Sequence, residues 1–339
     1  MTHWIGKSRL TARLALSLPL AIALLVPGPG SARAEDLRRS VNYYVNISVE
    51  GKPSLDDMWE RMRVAQEVGI DQMTRYPSTR ESLSIAGMMD PELWDYQEND
   101  LRNTLRAEIK RVYAELSSVR KQADAVRQTR DVLKEIVDIS GKRYAVGKGS
   151  QPELLRAQVL FHKMREELLL IENREKLLQI RLNVLSGQPP TASIPPIEEL
   201  TEFSFPYARE DLFKMYQEER PLLLAIRRTV ERGRSMSSAT DIRELRYLDA
   251  EAMALLSSAL ASIQARASVL AIYRTSIIPQ AEQALQATME AYRVGKVEFP
   301  LLLDSALGVL SYRREYQALL GDTYVLKAKV ESVVGKELR

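Results

Sequence analysis

The chain contains no cysteine and only two histidines, of which His162 alone lies beyond the N-terminal forty residues. The lack of cysteine excludes disulfides, thiolate catalysis and the acylated cysteine of a lipoprotein. A protein metal site needs several ligands, so a single histidine predicts neither a metal site nor a cofactor. Catalysis would depend on carboxylates or lysines, and the sequence has no nucleophile–base pair, phosphate-binding glycine loop or HExxH motif. An enzyme is therefore the least favoured class.

The N-terminus has the pattern of a secretory signal peptide over residues 1–34. Lys7, Arg9 and Arg13 precede a short apolar run, and Ala32-Arg33-Ala34 forms a small-x-small cleavage site. Removing four of the 48 basic residues leaves 44 against 45 acidic ones. The basic pI therefore belongs to the signal, and no nucleic acid partner is expected. No later apolar run is expected to be long enough for a membrane-spanning helix.

A short phrase occurs twice in the chain. Tyr144-Ala145-Val146-Gly147-Lys148 precedes Pro152, and Tyr292-Arg293-Val294-Gly295-Lys296 precedes Pro300. Each position of the second phrase lies 148 residues after its counterpart, and Gly187 and Gly335 keep the same spacing. A fixed offset predicts two copies of one supersecondary unit. Each copy is predicted to be a helix, a tight turn at Val-Gly-Lys and a second helix that begins near proline.

The first copy contains a long heptad-like pattern. Apolar residues spaced three or four apart run through a predicted helix from Glu92 to Ala145, about 80 Å long. The seam comprises Leu101, Leu105, Ile109, Val112, Leu116, Val119, Ala123 and Val126. Such a seam requires a neighbouring helix. The predicted fold class is therefore predominantly α-helical, with two long antiparallel coiled-coil hairpins and at most a few short strands.

The remaining segments are predicted from local signals. Alternation over 41–49 predicts a strand, Ser54 is a predicted helix N-cap, and Thr201–Phe205 is a candidate short strand. A kink is expected near Pro221, and a long helical region is expected over 241–294. The predicted domains are a signal at 1–34, an N-terminal segment at 35–90, a first hairpin at 91–187, a proline-rich linker at 188–206 and a second hairpin at 207–339.

These phrases resemble the TolC-like outer-membrane efflux proteins, which carry two repeats with a Tyr-x-x-Gly turn, an apolar helix start and a Leu-x-x-x-Gly ending. The matching residues of the first copy are Tyr144, Gly147, Leu154, Leu155, Ala157, Gln158, Leu182, Asn183, Gly187 and Pro189. Those of the second copy are Tyr292, Gly295, Leu302, Leu303, Asp304, Ser305, Glu331 and Gly335, with Ile277-Ile278-Pro279-Gln280-Ala281 upstream.

The resemblance implies a function and partners. Such proteins are homotrimers whose helices form a periplasmic tunnel below an outer-membrane β-barrel. They act as passive conduits for small molecules or metal ions, together with a periplasmic adaptor protein and an inner-membrane pump. The expected location is thus the outer membrane or the periplasm after export.

The resemblance also implies functional residues. The two turns would dock the adaptor through Val146, Gly147 and Lys148 and through Val294, Gly295 and Lys296, although lysine replaces the family's leucine in both. Asp304 is a candidate pore-lining acid. The simpler interpretation is that the glycines only form turns and that Asp304 is a solvated carboxylate.

The chain departs from this family where barrel strands would lie. Only Gly69–Asp90 and Gly233–Thr240 are available for them. A spanning strand takes about 9–11 residues, so the second interval cannot hold a hairpin of two. Most of the barrel strands are therefore expected to be missing. The alternative function is a barrel-less periplasmic helical protein that binds adaptor or envelope partners without forming a pore.

Overall fold

The structure is a computed structural model that describes residues 39–50, 52–68, 91–231 and 238–338. The predicted signal peptide and the interval Gly69–Asp90 lie outside the described residues, as does most of Gly233–Thr240. The helices of the described residues, in chain order, are α1 Val41–Val49, α2 Leu55–Val68, α3 Pro91–Ala145, α4 Gln151–Leu185, α5 Arg209–Glu219, α6 Pro221–Glu231, α7 Ser238–Ile272, a π-helical segment Tyr273–Ile277, α8 Ile278–Arg293 and α9 Phe299–Val334.

The predicted all-helical hairpin fold is confirmed. α3 and α4 form the first hairpin, α8 and α9 form the second, and α3 packs along α9 to join them. Every residue of the predicted heptad seam of α3 is buried. The buried side chains form three clusters, one among α3, α4, α8 and α9, one among α1 to α4, and one among α5, α6, α7 and the end of α9.

The predicted strand at 41–49 is wrong, because the segment is α1. Tyr44 and Ser48 are its buried residues, and their spacing of four is the spacing of a helix face. β-Branched residues favour strands only where a neighbouring strand offers pairing. The described residues contain a single isolated bridge, Arg39 with Ile197, and it does not extend into α1.

The segment Thr201–Phe205 is irregular and not a strand. Its contacts with α9 fix it, because Tyr324 donates a hydrogen bond of 2.8 Å to the Thr201 carbonyl. The ring of Phe203 also packs edge-on against Tyr324. The predicted N-cap at Ser54 is present, with its hydroxyl accepting from the Asp57 amide at 3.2 Å.

Two breaks in the second repeat are sharper than expected. The chain does not kink at Pro221 but ends α5 at Glu219 and begins α6 at Pro221, with Arg220 extended between them. The long helical region contains the π-helical turn Tyr273–Ile277 just before Pro279. Because proline lacks an amide hydrogen and its ring crowds the preceding turn, a wider turn accommodates it.

One helical stretch contradicts the expectation about apolar runs. Leu245–Arg293 is long and apolar enough to cross a membrane by length and composition alone. In its most apolar stretch of 18 residues, 22% is buried. Its exposed side chains include Val269 and Ile272. Part of the apolar surface of this stretch therefore faces solvent.

Candidate functional site: the two hairpin tips

The two predicted tips have the same backbone geometry. Gly147 has φ of 69° and Gly295 has φ of 75°, in the left-handed region that glycine adopts without strain. The Lys148 amide donates to the Arg143 carbonyl at 2.8 Å, and the Lys296 amide donates to the Ala291 carbonyl at 2.8 Å. A second bond of 3.0 Å links each glycine amide to the tyrosine carbonyl three residues earlier. Both turns are therefore Schellman helix ends.

The side chains at each tip point to solvent. Val146 and Val294 are each 67% exposed, and Lys148 and Lys296 are exposed beside them. A cation near the last turn of a helix is favoured by the helix dipole, which partly explains the lysines. Each tip thus presents one apolar side chain and one positive charge on a rigid turn.

Arg143 holds the two tips next to each other. Its Nη1 donates to the Tyr292 carbonyl at 2.8 Å, and its Nη2 donates to the Lys148 carbonyl at 3.0 Å. The guanidinium also lies 4.7 Å from the centroid of the Tyr292 ring. A planar group with several donors suits this bridging position. The tips therefore form one composite surface.

Arg143 was not predicted from the sequence as a tip residue. Its counterpart in the second copy is Ala291, so the repeat itself gives no reason to select it. The available signal was this difference between otherwise similar phrases. The repeat contains the predicted residues Gly147, Lys148 and Gly295 and the tyrosines that flank them. The arginine that joins the two copies, in contrast, occurs in only one of them.

Tyr292 is the buried centre of the composite tip. Its side chain is 1% exposed, and its hydroxyl donates to Glu153 Oε2 at 3.1 Å and lies 3.3 Å from Ser140 Oγ. Burial is the main cause of a raised pKa for the Tyr292 hydroxyl, which therefore remains a donor at neutral pH. The hydrogen bonds join α8 to both helices of the first hairpin.

Asp304 and His162 lie on exposed helix surfaces. Asp304 is exposed on α9, and its repeat counterpart is Arg156, so the two copies do not place acids at equivalent positions. His162 is exposed on α4 with its ring against Phe161. No group of three or more metal-ligating side chains occurs among the described residues. Pore lining by Asp304 stays a prediction.

The fold is that of outer-membrane channel proteins. The chain superposes on VceC from Vibrio cholerae with a TM-score of 0.68, 14% identity and coverage of 88% of this chain and 97% of that one. CusC superposes with a TM-score of 0.63 at 10% identity, with coverage of 87% of this chain and 97% of that one. The open state of MtrE from Neisseria gonorrhoeae superposes with a TM-score of 0.56 at 11% identity, with coverage of 91% of this chain and 93% of that one. At identities this low, the superpositions show a shared fold alone.

The sequence itself gives a family match within that fold. Residues 92–188 match the family model described as "Outer membrane efflux protein", and this segment comprises nearly all of the first hairpin. The predicted resemblance to the outer-membrane efflux proteins is confirmed. The family description also agrees with the predicted location, an exported protein of the outer membrane or periplasm. A comparison with curated proteins finds no match.

Proposed function

We propose that this chain is a component of an efflux conduit and that its composite tip docks a periplasmic adaptor, which connects it to an inner-membrane pump. The observation that carries the proposal is the geometry of the tips. Two rigid turns, fixed side by side by Arg143, expose Val146 and Val294 with a lysine next to each. Such a surface suits a small apolar contact surrounded by polar groups.

The charge of the tip indicates the chemistry of the adaptor surface. Lys148 and Lys296 are exposed, and Arg143 lies between the turns. Opposite charges across an interface raise the association rate and select the partner. The adaptor surface is therefore expected to be acidic around an apolar centre. Small molecules or metal ions would pass through the conduit without chemical change, in agreement with the channel fold.

Adaptor capture tests the docking proposal. Val146→Glu with Val294→Glu should abolish capture of the cognate adaptor, because it replaces both apolar contacts with charges that the acidic partner repels. Gly147→Trp with Gly295→Trp should do the same by blocking close approach. Lys214→Glu is the matched control, since Lys214 is an exposed lysine on α5, remote in sequence from either tip. Undiminished capture by both double variants, with circular dichroism unchanged, would refute docking at the tips.

A second candidate is a periplasmic interaction protein that forms no pore. The observation that favours it is the short interval between two helices, since α6 ends at Glu231 and α7 begins at Ser238. This interval is too short for two membrane-spanning strands of about 9–11 residues each. Envelope fractionation separates the two candidates. Heat-modifiable, membrane-embedded protein supports the conduit, and protein released with the soluble periplasm supports the interaction protein.

A further inference from the structure

A cavity of about 220 Å³ lies where three helices of the chain meet. Its apolar walls are Val132 of α3, Leu285 and Met289 of α8, and Ala306 and Val309 of α9. The residues that α8 and α9 contribute to these walls are buried, whereas Val132 is half-buried. Because every wall belongs to one chain, the cavity does not depend on any contact between copies.

The polar groups around the cavity are paired with one another. Arg313 donates to Glu282 at 2.5 and 3.0 Å and also to the amide oxygen of Gln128. The Thr129 hydroxyl donates to the Ala125 carbonyl at 3.0 Å. Among the described residues, no buried side-chain polar atom that lacks a partner belongs to the lining. Since a buried water needs two to four polar partners, this interior favours an apolar ligand over water.

Two small side chains open the cavity. Ala306 and Val309 stand where the first copy, 148 positions earlier, has Gln158 and Phe161. Protein interiors leave few voids larger than a water molecule. An alanine and a valine leave unfilled the volume that a glutamine and a phenylalanine would occupy. The cavity is therefore a property of the second copy's own sequence and not of the repeated hairpin.

We propose that this cavity is a binding site for a small neutral aromatic molecule with one polar substituent. An apolar protein cavity of about 150 Å³ holds benzene, and about 220 Å³ leaves room for a substituent on the ring. Met289 stands where the first copy has Gly141, and its thioether suits contact with an aromatic ring. Gln128 and Gln286 are exposed members of the lining, so they mark the entrance and offer amides to the polar substituent.

The ligand is expected to be neutral because the cavity has no spare charge to offer. Arg313 and Glu282 are its two charged lining residues, and they form an ion pair. A charged ligand would lose its hydration without gaining a counter-ion. The inference goes beyond the proposed function, since the site joins α3 to the second hairpin within one chain and requires neither an adaptor nor a pore.

A methyl signal inside the cavity gives a site-specific test, with phenol as the probe. In the purified chain with isotope-labelled methionine methyl groups, phenol should shift the NMR signal of Met289 saturably. Half-saturation is expected at about 1 mM or below for a ligand of this size. The Met164 methyl is the internal control, since Met164 is similarly buried on α4 but does not line the cavity. Met289→Leu assigns the signal.

Charged probes with the same ring test the expected neutrality of the ligand. Benzoate and benzylammonium at the same concentrations should leave the Met289 signal unchanged, because the ion pair of Arg313 and Glu282 satisfies both charges of the lining. Saturable binding of either ion as tight as that of phenol would overturn the assignment of a neutral ligand.

Filling the cavity should remove binding. Val309→Phe, which introduces the side chain that the first copy has, should weaken phenol binding about tenfold or more, because its ring occupies the ligand's space. Val159→Phe is the matched control, since it adds the same atoms at an exposed position of α4 that does not line the cavity. Ala306→Leu fills the same space and repeats the test if Val309→Phe loses its helical circular dichroism.

The outcomes decide between a ligand site and a packing defect. A saturable shift at Met289 that Val309→Phe abolishes and Val159→Phe retains supports the site. Equal shifts of Met289 and Met164, undiminished binding by the filled variants, or no saturable shift up to about ten times the expected half-saturation overturns it.

Discussion

Tyr144 and Tyr292 occupy the same position in the two repeats but have different surroundings. Tyr144 is 46% exposed, whereas Tyr292 is buried under Arg143 and bonded to Glu153. The difference arises because the second tip packs against the first hairpin, while Tyr144 is left exposed by the residues that the structure describes. At the residue scale, one tyrosine is structural and the other is available for contact.

Removal of the two hydroxyls should reveal this difference. Tyr292→Phe should reduce the free energy of unfolding by about 1 kcal/mol, because Glu153 and Ser140 lose a hydrogen-bond partner. Tyr144→Phe should change it by less than about 0.5 kcal/mol, as is usual for an exposed site. Urea titrations at one fixed protein concentration measure both values. Equal losses for the two variants would contradict the structural role of Tyr292.

At the scale of elements, repeated local patterns were predictable and long-range contacts were not. The seam of α3 and the turn glycines follow from spacing alone, because heptads and left-handed turns are local properties. The prediction of a strand at 41–49 was wrong because its nine residues fit both the period of a strand and that of a helix. Only the packing of Tyr44 selects the helix. Arg143 was not selected, because the partner through which it joins the two tips, Tyr292, lies in another helix 149 positions away.

At the scale of the whole molecule, the ends of the repeats remote from the tips are joined by buried charges. Asp100 lies 45 residues before the end of α3, about 65 Å along the helix. Arg220 Nε lies 3.0 Å from its Oδ1, and Arg220 also donates to the Ser332 carbonyl at 2.5 Å. Lys110 pairs with Glu331 at 2.7 Å nearby. These pairs connect α3, the α5–α6 junction and the end of α9.

The pKa of Asp100 makes this junction sensitive to pH. Burial raises the pKa of the Asp100 carboxyl, and the Arg220 guanidinium partly opposes that rise. Because the pKa of Asp100 is raised in the folded state, the contribution of its protonated carboxyl to the free energy of unfolding is complete below the unfolded pKa of about 3.9. That contribution is lost as the pH rises through the folded pKa. Removing Arg220 should raise the folded pKa further and extend this loss of stability toward neutral pH.

We therefore expect Arg220→Met to lower the free energy of unfolding by about 3 kcal/mol at pH 7. The loss should be smaller at pH 5, where more of the Asp100 carboxyl is protonated. Adding Asp100→Asn should remove this difference between the two pH values, because no buried carboxylate then remains unpaired. Lys336→Met is the control, since Lys336 and Glu219 form an exposed pair whose loss should cost less than about 1 kcal/mol. Urea titrations at both pH values test the account, and an equal loss for Arg220→Met at pH 5 and pH 7 would contradict it.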